Sequence, residues 1–317
     1  MKKITILLPS YNEQASMHLL YDNMCQVAID NAEYEWEFLM VNDGSVDATL
    51  DYMKDFHSKD ARFCYLDLSR NYGKEIAMMA GLDYAKGDAV IIMDADMQHP
   101  ISVIPEMLRY WEEGYQDIYA QRGSSKETWF KKKTSQLYYK MLQQTTKIPI
   151  QKNAGDFRLL DRICVVALRN MRETQRNTKG MYCWIGFKKK GIIYSQLERQ
   201  NGESKWSFWQ LLNLAIDGVT SYTTIPLRLA SWIGIVVSLC AFGYLVYIIF
   251  STLCFGEVVQ GYPTLMVVIL FLGGIQLISL GVIGEYLGRI FKETKNRPSY
   301  FVNTYNEKKV YAESDDK

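Results

Sequence analysis

The sequence predicts an α/β domain built on a mostly parallel sheet, followed by two apolar helices long enough to span a membrane. Three observations support this fold class. Short apolar runs alternate with helical patterns over the first 121 residues, polar residues follow the first four runs, and two long stretches near the C-terminus carry no charge. Alternating β and α elements favour a parallel sheet with helices on both faces. With 317 residues, the chain is long enough for about two domains.

The five predicted strands are short runs rich in β-branched and other apolar residues, a composition typical of strands buried in a parallel sheet. Helical patterns lie between the first four runs and before the fifth. The runs are residues 4–8, 36–41, 63–68, 89–93 and 118–121.

Polar residues follow each of the first four predicted strands. Open α/β sheets hold their ligands beyond the carboxyl ends of the strands, so four such segments at one edge predict a single binding cleft. The segments are Pro-Ser-Tyr-Asn-Glu at 9–13, Asn-Asp-Gly-Ser at 42–45, Ser-Arg-Asn-Tyr-Gly-Lys at 69–74 and Asp-Ala-Asp at 94–96.

Asp94 and Asp96 are the most informative pair of residues in the chain. Two neighbouring carboxylates repel one another and lose hydration, which is offset when a divalent cation links them to the phosphates of a ligand. Oxygen ligands of this kind suit Mg²⁺ or Mn²⁺. A solvated turn is the alternative for an isolated Asp-x-Asp, but the three other polar strand ends favour the metal. His99 could join the metal ligands, although packing in the turn before Pro100 explains it more simply.

The predicted cleft has neither the GxGxxG fingerprint of dinucleotide sites nor a P-loop. Asp43 could accept a hydrogen bond from a base, Glu13 could bind ribose hydroxyls, and the carboxylates of Asp94 and Asp96 could hold a metal on a diphosphate. Lys74 could add positive charge at the phosphates, with a solvated loop cation as the alternative. This set predicts a nucleoside diphosphate bound without a P-loop.

The net charge of +1 conceals a strong asymmetry. Residues 1–120 contain 9 Lys+Arg against 21 Asp+Glu, a net of −12, whereas residues 121–210 contain 19 against 6, a net of +13. Such a basic block indicates nucleic acid, an anionic membrane or a phosphorylated substrate. Because the apolar stretches provide a membrane for this charge to face, we expect no nucleic-acid partner.

Two uncharged stretches, residues 229–256 and 258–284, exceed the roughly 20 residues that cross a bilayer core. Basic residues flank their outer ends and the connecting loop has none, so the positive-inside rule places both termini in the cytoplasm. A buried hairpin of a soluble protein is the alternative. The six cysteines form no CxxC pair and no signal peptide precedes the first strand, which also predicts a cytoplasmic N-terminal domain.

Two amphipathic segments predict helices at the membrane surface. Residues 204–222 mix aromatic and aliphatic residues with polar ones, which is typical of an interfacial helix. In the basic block, lysines recur every seven residues beside an apolar stripe, which favours a helix lying on an anionic leaflet over a solvated helix face. These lysines are Lys126, Lys133, Lys140 and Lys147.

Five motifs together resemble the family 2 glycosyltransferases of GT-A fold. They are residues 9–13, Val-Asn-Asp-Gly-Ser at 41–45, Asp-Ala-Asp-Met-Gln-His-Pro at 94–100, Ala-Gly-Asp-Phe-Arg-Leu at 154–159 and Gly-Glu-Ser-Lys-Trp at 202–206. More narrowly, the chain resembles the polyprenyl-phosphate glycosyltransferases, a group that includes bactoprenol glucosyltransferases and dolichyl-phosphate mannose synthases. The resemblance covers almost the whole chain, including both apolar stretches.

The resemblance implies an inverting hexosyltransferase that moves a sugar from a nucleotide-sugar donor to undecaprenyl or another polyprenyl phosphate, for modification of cell-envelope glycans. The donor is expected to be UDP-linked glucose, N-acetylglucosamine or a similar sugar, with Mg²⁺ or Mn²⁺ as the cofactor on Asp94 and Asp96. Relatives with two spans and the glycine-rich second span favour a homo-oligomer. The implied location is the inner, or plasma, membrane, with a multi-pass topology.

The implied organisation has six parts. A nucleotide-sugar-binding part comes first, followed by an acceptor-side part with the membrane-surface helix, an interfacial helix, two transmembrane helices and a cytoplasmic tail. Their bounds are 1–122, 123–203, 204–227, 228–252, 264–288 and 289–317.

The resemblance also assigns site residues. Asp94, Asp96 and Asp156 are the implied catalytic residues, and Asn42 stands where many relatives carry a second aspartate. The residues implied to bind the nucleotide sugar are Pro9, Tyr11, Glu13, Asp43, Lys74, Asp94, Ala95 and Asp96.

The implied acceptor is already a competent nucleophile, because a phosphate monoester with a second pKa near 6 is largely dianionic at about pH 7. A lone carboxylate would repel it, so we expect Asp156 to orient Arg158 or the metal and not to act as a general base. Cations near the membrane are expected to bind the acceptor phosphate. The candidates are Arg158, Arg176, Lys179, Arg199 and Lys205.

Two other functions remain open from the sequence. A processive polysaccharide synthase usually has more spans and a Gln-x-x-Arg-Trp motif, and this chain has neither. A non-catalytic membrane protein that binds nucleotide sugar or polyprenol is the second alternative, which the intact acidic residues disfavour.

Overall fold

The computed structural model describes residues 1–122, 154–174, 176–194, 225–255 and 261–310. They divide into an α/β unit, which contains the described residues up to 194 together with 297–310, and a helical unit between 225 and 296. The predicted membrane-surface helix and residues 204–224 of the predicted interfacial helix lie outside the described residues.

A sheet of nine described strands forms the centre of the α/β unit. In chain order the strands are β1 (Lys3–Ser10), β2 (Glu35–Asn42), β3 (Phe63–Leu68), β4 (Ala89–Ile92), β5 (Asp117–Arg122), β6 (Ala154–Asp161), β7 (Lys189–Tyr194), β8 (Val302–Tyr305) and β9 (Lys308–Lys309). Their order across the sheet is β7-β5-β6-β4-β1-β2-β3-β8-β9. Only β6 and β8 run against the common direction, which confirms the prediction of a mostly parallel sheet.

Helices cover both faces of this sheet. Side chains alternate between the faces of a strand, so Ile6 and Leu8 of β1 join one hydrophobic core while Leu7 joins the other. The first core includes residues of α1 (Met17–Asp30), α2 (Thr49–Lys59) and α4 (Ile104–Glu112), and a short 3₁₀ turn, Ile101–Val103, precedes α4. The second core includes residues of α3 (Lys74–Tyr84), α5 (Arg162–Asn170) and α6 (Thr178–Trp184).

Helix α3 approaches the sheet closely at Gly81. A Cβ atom at this position would lie 2.0 Å from Cδ1 of Leu7, a fully buried residue of β1. The absence of a side chain therefore lets α3 pack directly on the strand. This close packing also sets the position of the N-terminus of α3, which borders the cleft described below.

The five predicted strands are confirmed as β1 to β5, with ends that differ by at most two residues from the prediction. The strands β6 to β9 are not among the sequence predictions. Within the segment 289–317, predicted to be a cytoplasmic tail, the described residues continue the preceding helix to Thr294 and then add β8 and β9 to the sheet. By pairing with β3, β8 covers an edge whose backbone groups would otherwise lack partners.

The helical unit consists of two long apolar helices that contact one another, α7 (Ile225–Phe255) and α8 (Tyr262–Thr294). Many of their described apolar side chains are exposed, among them Trp232 and Leu277. Within the described residues, one stretch, Phe271–Thr294, is long and apolar enough to cross a membrane by length and composition, and a shorter apolar stretch is Leu229–Tyr244. The presence of two membrane spans therefore stays a prediction, with the stretch Phe271–Thr294 overlapping the second of them.

Candidate active site

The carboxyl ends of β1 to β4 lie side by side, because these strands are parallel neighbours in the sheet. The polar segments that follow them line one cleft of about 290 Å³. The structure thus brings together the four segments that the sequence predicted to converge. All of the residues predicted to bind the nucleotide sugar line this cleft, namely Pro9, Tyr11, Glu13, Asp43, Lys74, Asp94, Ala95 and Asp96.

Lys74, the first residue of α3, contacts two carboxylates, of which Asp94 lines the cleft. Its Nζ lies 2.6 Å from Oδ1 of Asp94 and 2.9 Å from Oδ2 of Asp156. Burial by itself lowers the pKa of Lys74, but the two carboxylates outweigh it and raise that pKa above its usual value. The side chain nevertheless remains 44% exposed. Lys74 therefore presents a permanent positive charge to a ligand in the cleft.

Asp94 follows β4 and is held by two neighbours. Besides the Lys74 ammonium, Nε2 of His99 lies 3.5 Å from Oδ2 of Asp94. Burial favours a raised pKa for Asp94, yet the hydrogen bond with His99 and the charge of Lys74 hold that pKa well below its usual range. The carboxylate is therefore ionised, as a ligand of a metal ion has to be.

His99 is buried behind Asp94. Its ring stacks on Phe157 with the ring centroids 4.8 Å apart, and its Nδ1 lies 3.2 Å from the hydroxyl oxygen of Tyr194. The interpretation of His99 as a packed residue is confirmed. The same ring also supports the Asp94 carboxylate, a contact that the sequence did not indicate.

Glu13 and Asp96 lie on the acidic side of the cleft. Burial, reinforced by the charges of Asp96 and Asp94, raises the pKa of Glu13. Oδ1 of Asp96 accepts a hydrogen bond from the backbone N–H of Gln98 at 3.1 Å. Met97, which lies between Asp96 and Gln98 in the sequence, has a left-handed backbone with φ of 56°. This conformation is unfavourable for a non-glycine residue and is often found in the turns of functional sites.

The acidic pair Asp94 and Asp96 fits a divalent cation that is bound together with a diphosphate. Among the described residues, no three His, Cys, Asp or Glu side chains are grouped to hold a metal ion. Mg²⁺ is commonly held by one or two carboxylates plus the phosphates of a substrate, so a pair is sufficient. Oδ1 of Asp156 is buried and has no hydrogen-bond partner within the described part of the chain. It is therefore a further acceptor available to a cationic or protic ligand group.

Asp43 fastens the loop after β3 to the turn after β2. Its carboxylate oxygens accept hydrogen bonds from the backbone N–H groups of Tyr72 and Gly73 at 2.7 and 2.9 Å. Burial raises the pKa of Asp43, although both hydrogen bonds oppose this shift. The next residue, Gly44, has φ of 67°, and a Cβ there would lie 2.5 Å from the backbone at 70–71. The two loops therefore pack directly against one another beside the cleft.

Asn42 is directed into a buried polar network and is not among the residues that line the cleft. Its Nδ2 donates to Oδ1 of Asp67 at 2.7 Å, and its Oδ1 accepts from the backbone N–H of Ser45 at 3.1 Å. Asn42 is 2% exposed and Asp67 is 8% exposed. An amide can donate to a buried carboxylate and an ionised carboxylate cannot, which explains an asparagine at position 42 in this chain.

We expect the substitution Asn42→Asp to lower the free energy of unfolding by about 1–3 kcal/mol at neutral pH. The new carboxylate and Asp67 would repel, which raises the pKa of the pair in the folded state above its unfolded value. The loss should therefore be largest at neutral pH and shrink as the pH falls and one carboxyl group is protonated. Thermal unfolding at several pH values measures this, and a loss independent of pH would contradict it.

Three of the five cations predicted to bind the acceptor phosphate lie within the described residues. Arg158 is only 1% exposed, its Nη1 lies 3.1 Å from Oδ1 of Asp117, and its guanidinium lies 3.5 Å from the centre of the Tyr182 ring. Asp117 is fully buried. In the structure, therefore, Arg158 belongs to a buried ion pair and the cation in contact with Asp156 is Lys74, so Arg158 is not the group that Asp156 contacts. A role of Asp156 in orienting the metal, the other expectation, stays a prediction.

The other acceptor-side predictions have different outcomes. Arg176 is partly buried, with its guanidinium donating to the carbonyl oxygen of Met171 and lying 3.1 Å from Sδ of Met79. Lys179, on α6, is exposed. Of the three described candidates, Lys179 is the one whose side chain is open to solvent. Arg199 and Lys205 lie outside the described residues.

Glu75 is a residue of this region that the sequence analysis missed. Its Oε2 accepts a hydrogen bond from the backbone N–H of Thr178 at 3.1 Å, which links α3 to the start of α6. Burial, followed by the negative charge of Asp156, raises the pKa of Glu75. A carboxylate in the first turn of a helix, directly after Lys74, was the available signal, because helix N-termini favour acidic residues.

Comparison with known proteins relates both units to glycosyltransferases. The sequence model described as Glycosyl transferase family 2 matches residues 5–168, and the one described as GtrB C-terminal hairpin matches residues 225–290. The uncharacterized glycosyltransferase sll0501 of Synechocystis sp. is 42% identical over 302 residues, which cover 95% of each chain. The prophage bactoprenol glucosyl transferase homolog of Escherichia coli is 41% identical over 301 residues, which cover 95% of this chain and 98% of the homolog.

A solved structure offers a more distant likeness. The crystal structure of S. aureus TarS 1–349 in complex with UDP-GlcNAc has a TM-score of 0.47 and 14% identity, and the match covers 68% of this chain and 66% of that chain. The likeness at this TM-score is slight, whereas the sequence relatives match almost from end to end.

Proposed function

The chain belongs to glycosyl transferase family 2, and we propose that it moves a sugar from a nucleoside-diphosphate donor to the phosphate of a polyprenol, specifically undecaprenyl phosphate. The observation that carries the donor half is the cleft at the carboxyl ends of β1 to β4, where Asp94, Asp96 and Lys74 meet. The apolar helix pair and the relatives that are named bactoprenol glucosyl transferases support the lipid half.

Nucleophilic attack needs no protein base in this scheme. The acceptor phosphate is largely dianionic at about pH 7, so one of its oxygens can attack the anomeric carbon directly and invert its configuration. Alignment and charge stabilisation then remain as the tasks of the enzyme.

Charge on the departing diphosphate is the main electrostatic problem at this cleft. Asp94 and Asp96 would hold Mg²⁺ or Mn²⁺, which supplies positive charge to the diphosphate oxygens when bound. Lys74 is the one cationic side chain among the described residues that line the cleft. Its ammonium can pass from the Asp94 carboxylate to a phosphate oxygen without leaving the cleft, because its side chain is partly exposed.

Asp156 acts as a positioning residue in this proposal. Its contact with Lys74 at 2.9 Å directs the ammonium, and the ion pair reduces the repulsion that a lone carboxylate would exert on the acceptor phosphate. A substitution of Asp156 would therefore misalign the Lys74 ammonium, whereas the acceptor phosphate would stay ionised. Lys179 is the described cation best exposed to receive the acceptor phosphate, with Arg199 and Lys205 as proposed partners.

The membrane arrangement that we propose has two spans, near residues 228–252 and 264–288, with both termini and the α/β unit in the cytoplasm. This topology rests on the charge pattern around the apolar stretches and on the length of α7 and α8, 31 and 33 residues. The donor is proposed to be a UDP-sugar carrying glucose, N-acetylglucosamine or a similar hexose, and the assembly a homo-oligomer.

The direct test incubates the purified full chain with undecaprenyl phosphate, Mg²⁺ or Mn²⁺, and a panel of nucleotide sugars. We expect one donor to give a glycolipid whose mass is that of undecaprenyl phosphate plus one residue of the donor sugar, with release of the nucleoside diphosphate. Undecaprenol, which lacks the phosphate, serves as the matched acceptor control and should give no product.

The other outcomes separate the alternatives. Products that carry several sugars on one lipid would favour a processive synthase. Donor binding without product, for every donor and both metals, would favour a non-catalytic binding protein and overturn the proposed transfer.

A further inference from the structure

We propose that Asn303, on the strand that follows the second apolar helix in the sequence, is a positioning residue for the donor site. The inference deepens the proposed function and rests on it for the identity of the ligand, a nucleoside diphosphate. Strand β8, which contains Asn303, lies beyond both stretches matched by the family models, which end at residues 168 and 290.

A β-bulge in β8 places the side chain of Asn303 against the neighbouring strand β3. Asp67 of β3 faces Thr304, and the next residue, Leu68, faces Val302, so Asn303 is an extra residue in β8. Bulges of this kind redirect a side chain and recur beside active sites. Although Asn303 itself is exposed, its Nδ2 donates to Oδ2 of Asp67 at 3.1 Å.

Asp67 also contacts Asn42. Its other oxygen, Oδ1, accepts a hydrogen bond from Nδ2 of Asn42 at 2.7 Å. Asp67 lies at the carboxyl-terminal part of β3, where a poorly hydrated carboxylate depends on protein donors. The amides of Asn42 and Asn303 therefore hold its two oxygens in a defined orientation.

Asn42 also stabilises the loop segment that contains Asp43. Its Oδ1 accepts from the backbone N–H of Ser45, whose hydroxyl oxygen accepts from the backbone N–H of Asn12 at 3.0 Å. Oδ1 of Asn12 accepts from the backbone N–H of Val46 at 2.9 Å, which closes the contact between the two turns. A continuous series of hydrogen bonds thus runs from Asn303 to the turns that place Asp43 and its neighbours in the cleft.

The pairing of β8 with β3 does not need the Asn303 side chain. Backbone hydrogen bonds hold the segment at both ends, from Ser69 to the carbonyl of Phe301 and from Asn306 to the carbonyl of Tyr65. Asn306 adds a side-chain contact, in which its Oδ1 accepts from the backbone N–H of Tyr65 at 2.9 Å. Asn303 contacts β3 at Asp67, near the carboxyl end of the strand, whereas Asn306 contacts β3 at Tyr65 and provides a matched control.

The test compares Asn303→Ala with Asn306→Ala in the full chain. Binding of UDP with Mn²⁺ is measured by calorimetry, and thermal unfolding is measured in parallel. We expect N303A to weaken UDP binding about three- to tenfold, to raise the KM for the donor by a similar factor, and to leave kcat and the KM for the lipid acceptor nearly unchanged. N306A should lower the unfolding temperature at least as much as N303A without changing UDP affinity.

A double-variant cycle supplies a second readout. If Asn303 acts through Asp67 and Asn42, the effect of N303A on UDP affinity should largely disappear in an Asn42→Ala background, because coupled residues are not additive. Equal UDP affinity of N303A and the wild type, or equal losses in N303A and N306A, would overturn the inference and leave the proposed function intact. Failure of the wild type to bind UDP would instead contradict the proposed UDP donor.

Discussion

Replacing Asp94 by asparagine is expected to reduce sugar transfer by a factor of about 100 to 1,000, the range found when one electrostatic group of an active site is removed. The change removes a charged oxygen that lies 2.6 Å from Nζ of Lys74 and, in the proposed function, one of two ligands of the divalent cation. The loss should appear mainly in kcat, measured as glycolipid formed per unit time. Binding of Mn²⁺ in the presence of UDP, followed by electron paramagnetic resonance, should weaken in the same variant.

Asp88→Asn is the matched control, because Asp88 precedes the same strand, β4, at its opposite end. Its Oδ2 accepts a hydrogen bond from the backbone N–H of Lys3 at 2.8 Å, far along the strand from the cleft. We expect D88N to affect stability slightly and to keep full turnover. If D94N retained more than about a tenth of the wild-type rate, Asp94 would not have the electrostatic role proposed for it.

Replacing Asp117 by alanine is expected to lower the free energy of unfolding by about 3–5 kcal/mol, the usual loss when one partner of a buried ion pair is removed. The guanidinium of Arg158 would remain buried without its carboxylate, although the carbonyl oxygen of Gly155 still accepts from its Nη2 at 3.2 Å. For a protein of this size we expect the unfolding temperature to fall by roughly 10 °C. Thermal unfolding in detergent, monitored by near-ultraviolet circular dichroism, measures the shift.

Two further variants test whether Arg158 is structural or binds the acceptor phosphate. The exposed pair of Asp55 and Lys59 is the control for a simple loss of charge, and Asp55→Ala should cost less than about 1 kcal/mol. The double variant Asp117→Leu with Arg158→Met replaces the ion pair by apolar groups and should recover most of the stability. A stable double variant with normal turnover assigns Arg158 to the core, whereas a stable but inactive one would restore its expected role at the acceptor.

The strands that sequence reasoning found and missed differ in their surroundings. Strands β1 to β4 are buried on both faces, so their sequences are nearly continuous apolar runs that stand out from the helices between them. By contrast, β6 carries Asp156 and Arg158 among apolar residues, and β8 is a four-residue strand that pairs with a strand more than 200 residues earlier. Short strands such as β8 are recognised by what they pair with, which their own residues do not encode.

In the candidate site, too, some features could be predicted from the sequence and others could not. Residues at the ends of parallel strands could be placed in one cleft from the sequence, because alternation of strands and helices puts those ends at one edge. The side chains that pair with charged or polar residues in and around the site could not be predicted from the sequence. Lys74 with Asp156, Asp117 with Arg158 and Asp67 with Asn303 are pairs far apart in the sequence. The first pair depends on the packing of α3 against the sheet, and the other two depend on the register of neighbouring strands.

The sequence by itself determined the layered α/β architecture, the location of the cleft, the acidic residues that line it and the apolar character of the C-terminal helices, since local patterns of polarity encode all of these. Tertiary structure alone decided which charges neutralise one another. In the folded chain, Lys74 contacts Asp94 and Asp156, Arg158 is buried against Asp117, and Asn303 contacts Asp67. The physical reason is that Coulomb and hydrogen-bond energies depend on distances and burial, and only the folded chain sets these.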